Sequence, residues 1–225
     1  MKTKRNIIFA AKDRGGFDAI LPVIKKLKKN DKFNLFLILE NPAYQFAKKG
    51  GVKCLSASNL SIYKISEIIK KLNPDIIFTS TSRGFSIEKK LIKIAKNKKI
   101  TTASIVDYWG NNKGRFGEKL EYLPDYILAI DEIMKEQMIK EGIAKDRIFI
   151  TGSPRFDKFS NIKESKGNKN IIAFYSQPFS EVLDKNFNEI EIFEDIINIL
   201  KNIYPKKEVI IKFHPAENNK NKFNK

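Results

Sequence analysis

Residues 6–16 read NIIFAAKDRGG: an uncharged apolar run, a charged turn, then paired glycines. A short uncharged run fits a buried strand, and residues 17–29 follow with the spacing of an amphipathic helix. Working outward, the same unit recurs. Apolar runs at 33–39 (FNLFLIL), 52–55, 75–80 (DIIFTS), 101–106, 126–130 and 147–151 predict strands. Between them, 42–49, 62–72, 86–97 and 132–141 predict helices. Within 62–72, for example, Ile65, Ile68, Ile69 and Leu72 share one face. Strands alternating with helices argue for an α/β fold, a parallel sheet covered on both faces.

The pattern breaks at 160–170 (SNIKESKGNKN), polar and aperiodic, which reads as a linker. Beyond it come a strand at 171–176, a helix at 189–204, a strand at 208–213 and a polar tail. The expected organisation is a Rossmann-like domain over 1–160, a linker over 161–170 and a partial second α/β domain over 171–225. Two strands and one helix are too few to bury a core of their own. The last segment is therefore a small appendage or the beginning of a larger domain, and the second reading is preferred.

The 225 residues carry a formal charge of +17, with 37 Lys and 6 Arg. Clustered cations would suit nucleic acid. Here Lys, Ile and Asn together supply 91 residues, the mark of AT-rich codons, and the lysines spread along helices as solvated faces. Specific nucleic-acid contacts favour Arg, so direct nucleic-acid binding is disfavoured. A basic surface suits anionic small ligands and peripheral contact with inner-membrane headgroups. No apolar stretch approaches the ~20 residues needed to span a bilayer. The first apolar run is too short for a signal-peptide core, which makes the cytoplasm the default address. A single cysteine, Cys54, excludes an intramolecular disulfide and a Cys-based zinc cluster.

Ligands of open parallel sheets sit beyond the carboxyl ends of the strands, so residues just after each strand are the candidates. Asp13, Arg14, Gly15 and Gly16 follow the first, without a GxGxxG fingerprint. Paired glycines there allow close ligand approach and an anion at the next helix, or serve a turn that needs positive φ. Ser80-Thr81-Ser82-Arg83-Gly84 reads as polar ligand contacts or, more simply, as helix capping. The segment 107–117 (DYWGNNKGRFG) holds the only Trp and reads as a functional loop. Alternatively, Trp109 and Phe116 plug that loop while Asp107 bonds local amides. Gly152, Arg155 and Asp157 lie in a sharp exit from the strand at 147–151, where Arg155 and Asp157 are placed to pair. Ser176-Gln177-Pro178 closes the strand at 171–176, and His214-Pro215-Ala216-Glu217 the strand at 208–213. His214, the only histidine, lacks the companions of a zinc ligand, but a strand-end imidazole suits a phosphate. No paired-carboxylate metal motif stands out, so no metal is expected.

At these motifs the sequence resembles the GT-B superfamily of two-domain glycosyltransferases and the related nucleotide-sugar epimerases. TGSPRFD (151–157) is similar to the interdomain stretch of the CDP-glycerol glycerophosphotransferase-like branch. SQP (176–178) followed by KFHPAE (212–217) resembles polysialyltransferase-like and capsule or lipooligosaccharide transferases, whose His-Pro pair contacts the donor phosphate. The run from Ile105 through Asp107, Trp109, Arg115, Phe116 and Leu123-Pro124-Asp125 to Asp131 looks like the same surface-polysaccharide group.

The resemblance implies a GT-B-like fold, with an acceptor-side first domain and a nucleotide-donor second domain. It implies transfer of a glycosyl or glycerophosphoryl group from a nucleotide-activated sugar, or CDP-glycerol, to a glycan or lipid-linked acceptor. That nucleotide is the substrate, and no cofactor is expected. Ser176, Gln177, His214, Pro215 and Glu217 would take the donor; Arg14, Gly15, Gly16 and Arg115 the acceptor. Gly152, Arg155 and Asp157 would be interdomain, and the site would lie in the cleft between domains. Asp107 and Asp13 are base candidates by location, since the acidic-acidic-Gly base motif of the sialyltransferase-like branch is not visible. A GT-B protein is also expected to continue through several further strand–helix units. The alternatives are a non-hydrolysing UDP-GlcNAc 2-epimerase of the same fold, which needs no acceptor, and a non-catalytic remnant or binding module.

Overall fold

Alternate residues of one strand divide the core. In β1 (Arg5–Ala11), Ile7, Phe9 and Ala11 belong to one apolar cluster and Ile8 and Ala10 to another, all buried. This follows from side chains alternating across a strand. The first set packs with α1 (Arg14–Leu27) and α2 (Ala43–Lys49), the second with α3 (Ile62–Leu72) and α4 (Ile87–Lys98). The remaining strands of this layer are β2 (Phe33–Leu39), β3 (Leu55–Ser56), β4 (Ile76–Thr79), β5 (Thr101–Ile105), β6 (Tyr126–Ala129) and β7 (Ile148–Ile150). They form a seven-stranded sheet in the order β3-β2-β1-β4-β5-β6-β7, every pairing parallel. A third cluster joins Ile127, Ala129 and Ile148 to α6 (Glu132–Lys140) through Met134 and Met138.

This computed structural model describes residues 4–160, 167, 170–178, 188–214 and 217. The chain divides into two compact units, Met1–Ile162 and Lys163–Lys225. In the second, β8 (Ile171–Tyr175) and β9 (Glu208–Lys212) pair in parallel, with Ile171 opposite Glu208. There α7 (Glu189–Ile203) sets Phe193 edge-on to Phe174 at 4.9 Å between ring centroids.

Helix ends follow local chemistry. The Ser61 hydroxyl accepts the Lys64 N–H at 3.2 Å to start α3, and Asn73 ends it in the left-handed region (φ 40°). Asp131 accepts the Met134 N–H at 2.8 Å and starts α6. Helix α4 has no side-chain cap of its own; Glu40, just after β2, accepts the Ile87 N–H at 2.7 Å instead.

Several boundaries depart from the sequence expectation. Helix α1 begins at Arg14, a turn earlier than 17, and so contains both glycines. Neither has positive φ, which removes the tight-turn reading. The strand expected at 52–55 is Leu55–Ser56, because pairing to Ile38 and Leu39 fixes it. The 107–117 loop contains a short helix, α5 (Asn112–Phe116), hidden in the sequence by its Asn and Gly content. The exit at 154–159 is a 3₁₀ helix (Pro154–Phe159). Among the described residues no ion pair joins Arg155 to Asp157; the Arg155 guanidinium lies over the Phe156 ring at 5.1 Å. No helix among the described residues is long and apolar enough to cross a membrane.

Ile77 on β4 is fully buried, with α3 and α4 residues in the same cluster. Ile77→Ala should lower unfolding free energy by about 2–5 kcal/mol in urea titration, since the cavity cannot collapse between sheet and helices. A change below about 1 kcal/mol would contradict this packing.

Candidate functional site

Strand β1 lies between β2 and β4, so the chain leaves it toward one side and later returns on the other. Such a switch point opens a crevice at the carboxyl ends of the strands. Three segments meet there: the start of α1 after β1, residues 80–84 after β4, and 107–116 after β5.

Asp107 is the centre of the constellation. Its Oδ1 pairs with Arg115 Nη1 at 3.2 Å, with the side chains 14% and 11% exposed. The same Nη1 donates to Thr81 Oγ1 at 2.7 Å, and Arg115 Nε donates to the Gly110 carbonyl at 3.4 Å. Asp107 Oδ2 lies where a Cβ on Gly15 would come within 2.8 Å. Gly15 is therefore required for close approach. Gly16 is likewise pressed on Ser80, whose Cβ a new methyl would meet at 2.6 Å. Asp107 thus takes a guanidinium partner in place of the local amides the sequence suggested. Phe116 is buried as a plug, whereas Trp109 is 38% exposed and donates Nε1–H to both Asp131 oxygens at 3.0 Å.

Asp13 holds the N-cap position of α1 with extended backbone and no side-chain cap bond, and the first turn carries no acidic residue. The carboxylate facing the positive end of α1 is that of Asp107, whose Oδ2 lies against Gly15. Arg14 stacks over the Phe46 ring at 4.1 Å and approaches Asp18 at 4.0 Å.

The residues after β4 do not cap α4. Ser80 and Ser82, both buried, donate their hydroxyls to Glu88 Oε1 at 3.0 and 2.7 Å, and the Lys12 N–H donates to the same oxygen at 2.9 Å. Neighbouring Lys89 donates Nζ to the Gly114 carbonyl at 2.8 Å. Burial pushes the Lys89 ammonium below its ordinary range, against the opposing pull of Glu121 and Glu88. Glu40, Glu88 and Lys89 escaped sequence reasoning: the Glu40–Ile87 and Lys89–Gly114 partners are distant in the chain, and Glu88 joins distant Lys12 to the nearer Ser80 and Ser82.

In the second unit, Ser176 and Glu217 are buried. The Ser176 hydroxyl donates to Glu217 Oε2 at 2.7 Å and accepts the His214 N–H at 3.2 Å. The Ser176 N–H reaches the Lys212 carbonyl at 3.1 Å, so the ends of β8 and β9 are laced together around His214. Gln177 is exposed beside them. Pro215 lies outside the described residues. In the first unit, Gly152 takes φ 72° just before the 3₁₀ helix, a conformation that favours glycine. No group of three or more His, Cys, Asp or Glu able to hold a metal ion occurs among the described residues.

No protein-family model matches the sequence. Over 198 residues it is 23% identical to the UDP-N-acetylglucosamine 2-epimerase of Methanocaldococcus jannaschii, covering 80% of this chain and 52% of that protein. The chain thus spans about half the length of the curated relative it matches. Among solved structures it is similar to UDP-GlcNAc 2-epimerase from Neisseria meningitidis bound to UDP-GlcNAc (TM-score 0.64, 15% identity, 97% of this chain and 68% of that one). It is also similar to the lipopolysaccharide outer core galactosyltransferase WaaB (TM-score 0.57, 15% identity, 94% and 68%). The fold is α/β of the GT-B type, shared by epimerases and glycosyltransferases.

Gly16→Ala should lower stability by about 1–3 kcal/mol in urea titration, because the methyl meets Ser80 in a filled site. Gly51→Ala, a positive-φ control with open space around it, should show backbone strain but no overpacking. If Gly16→Ala unfolds at the wild-type midpoint, the α1–β4 contact is not as described.

Proposed function

We propose that the chain belongs to a nucleotide-sugar enzyme that inverts C2 of the sugar in UDP-N-acetylglucosamine. The observation that carries this reading is the match, over most of the chain, to a protein of that activity. The candidate site supports it chemically. Inverting C2 requires its proton to leave one face as the C1–O bond to UDP breaks, the electron pair forming a C1=C2 double bond. A proton then returns to C2 on the opposite face while the UDP oxygen re-forms its bond to C1. A carboxylate beside the sugar can serve as the base. Asp107, oriented by Arg115 and backed by Gly15, is the first candidate, and Asp13 the second. His214 would neutralise the nucleotide's phosphates, Gln177 and Pro215 would take the donor as their motifs imply, and Ser176, which donates to Glu217 and accepts the His214 N–H, would hold the strand end. The nucleotide sugar is the substrate, and the reaction calls for no separate cofactor. Gly152, Arg155 and Asp157 retain the interdomain role that their motif implies.

A second reading is favoured by the motifs at 151–157 and 176–217: transfer from a nucleotide-activated donor to a capsule or cell-envelope glycan. There Arg14, Gly15, Gly16 and Arg115 would hold an anionic acceptor. Cytoplasmic placement with peripheral inner-membrane contact suits the basic surface in either case.

The two readings part on the need for an acceptor. Incubated with UDP-GlcNAc alone in D2O, the chain should yield UDP-ManNAc carrying deuterium at C2, read by proton NMR. Asp107→Asn should slow that exchange by about 10²–10⁴-fold. Turnover that appears only with a glycan acceptor, without C2 exchange, would support transfer and overturn epimerisation.

A further inference from the structure

The first turn of α4 grips the strand-end loops around the switch point. Ile87 N–H donates to Glu40 after β2. Glu88 Oε1 accepts from Lys12 after β1 and from Ser80 and Ser82 after β4. Lys89 Nζ donates to the Gly114 carbonyl within α5, after β5. Consecutive residues of one helix turn thus hold the loops that follow four different strands.

Glu88 is the costly member of this set. It is 2% exposed, its Oε1 is fully committed, and its Oε2 is buried without a hydrogen-bond partner. Burying a carboxylate on neutral donors is expensive, and an apolar side chain would pack there more cheaply. Ile87 and Leu91 show that this helix supplies apolar residues where packing alone is needed. Both flanks of Asp107 lead back to Glu88 Oε1. On one side, Ser80 and Ser82 bracket Thr81, which accepts from Arg115, the partner of Asp107. On the other, Lys12 N–H anchors the junction that carries Gly15 against Asp107 Oδ2.

We propose that Glu88 is the positioning residue of the site: its Oε1 sets the spacing of the β1–α1 junction and the β4–α4 loop, and thereby the placement of Asp107. The consequence for turnover rests on the nucleotide-sugar reading; the consequence for the loops does not.

The test uses the whole chain, with Glu88→Gln, which keeps the shape but gives up the charge-assisted bonds, and Ser82→Ala, which removes one donor. Amide hydrogen exchange at Lys12 and across 80–84 should accelerate about tenfold in the first and about threefold in the second. Exchange in β2 and α3 and the urea midpoint should stay near wild type. The Kd for UDP-GlcNAc should rise about five- to tenfold in Glu88→Gln. Exchange that accelerates throughout the chain with a lowered midpoint would overturn the proposal, making Glu88 a stability residue only. Unchanged exchange at Lys12 and 80–84 would overturn it as well. If Glu88→Gln fails to fold, Ser82→Ala decides on the same exchange readout. A wild-type chain that does not bind UDP-GlcNAc would remove the nucleotide-sugar reading, while the exchange measurement still decides the role of Glu88.

Discussion

A single buried carboxylate oxygen, Glu88 Oε1, receives three hydrogen bonds from two separate loops. The sheet and its helices are held by burial of Ile, Phe and Ala side chains, which is non-directional and would tolerate loops in many arrangements. Directional bonds are what select one arrangement, and the cost of ordering a loop residue is about 1–2 kcal/mol of backbone entropy alone. At this switch point those bonds converge on the start of α4. The two glycines of α1 complete the constraint from the other side, because any side chain at Gly15 or Gly16 would displace Asp107 or Ser80.

Much of the fold was legible in the sequence, since apolar periodicity is a local signal. The strand at 33–39 and the helix at 62–72 coincide with β2 and α3. The alternation of strands and helices foretold the parallel sheet that is observed. What failed was side-chain partnering, which periodicity does not encode. Ser80 and Ser82 precede a helix as caps do, yet their hydroxyls serve Glu88, while the α4 cap comes from Glu40, 47 residues away from Ile87. Lys12 and Glu88 are 76 residues apart, so no motif window contains both. Asp107 and Arg115 both lie in the segment that follows a strand, and the structure pairs them. Their mutual geometry depends on Thr81 and Gly15, which no spacing rule connects.

A GT-B fold hosts both epimerisation and group transfer, so fold alone does not choose between them. The choice rests on what faces the sugar. Under the proposed reading, in the first unit that is the Asp107 carboxylate, paired with the Arg115 guanidinium that Thr81 in turn holds. This arrangement suits proton transfer next to an anionic ligand at least as well as it suits an acceptor hydroxyl. In the second unit, Ser176 donates to Glu217 and accepts the His214 N–H, which ties the ends of its two strands together.

Under the proposed function, the carboxyl ends of β1, β4 and β5 meet the sugar of a nucleotide sugar. An amide-resolved NMR titration with UDP-GlcNAc, set against UDP alone, tests it directly. Shifts are expected at Gly15, Gly16, Thr81, Asp107 and Arg115 with the sugar nucleotide and not with UDP. Identical responses to both ligands, or sugar-dependent shifts confined to other residues, would contradict it.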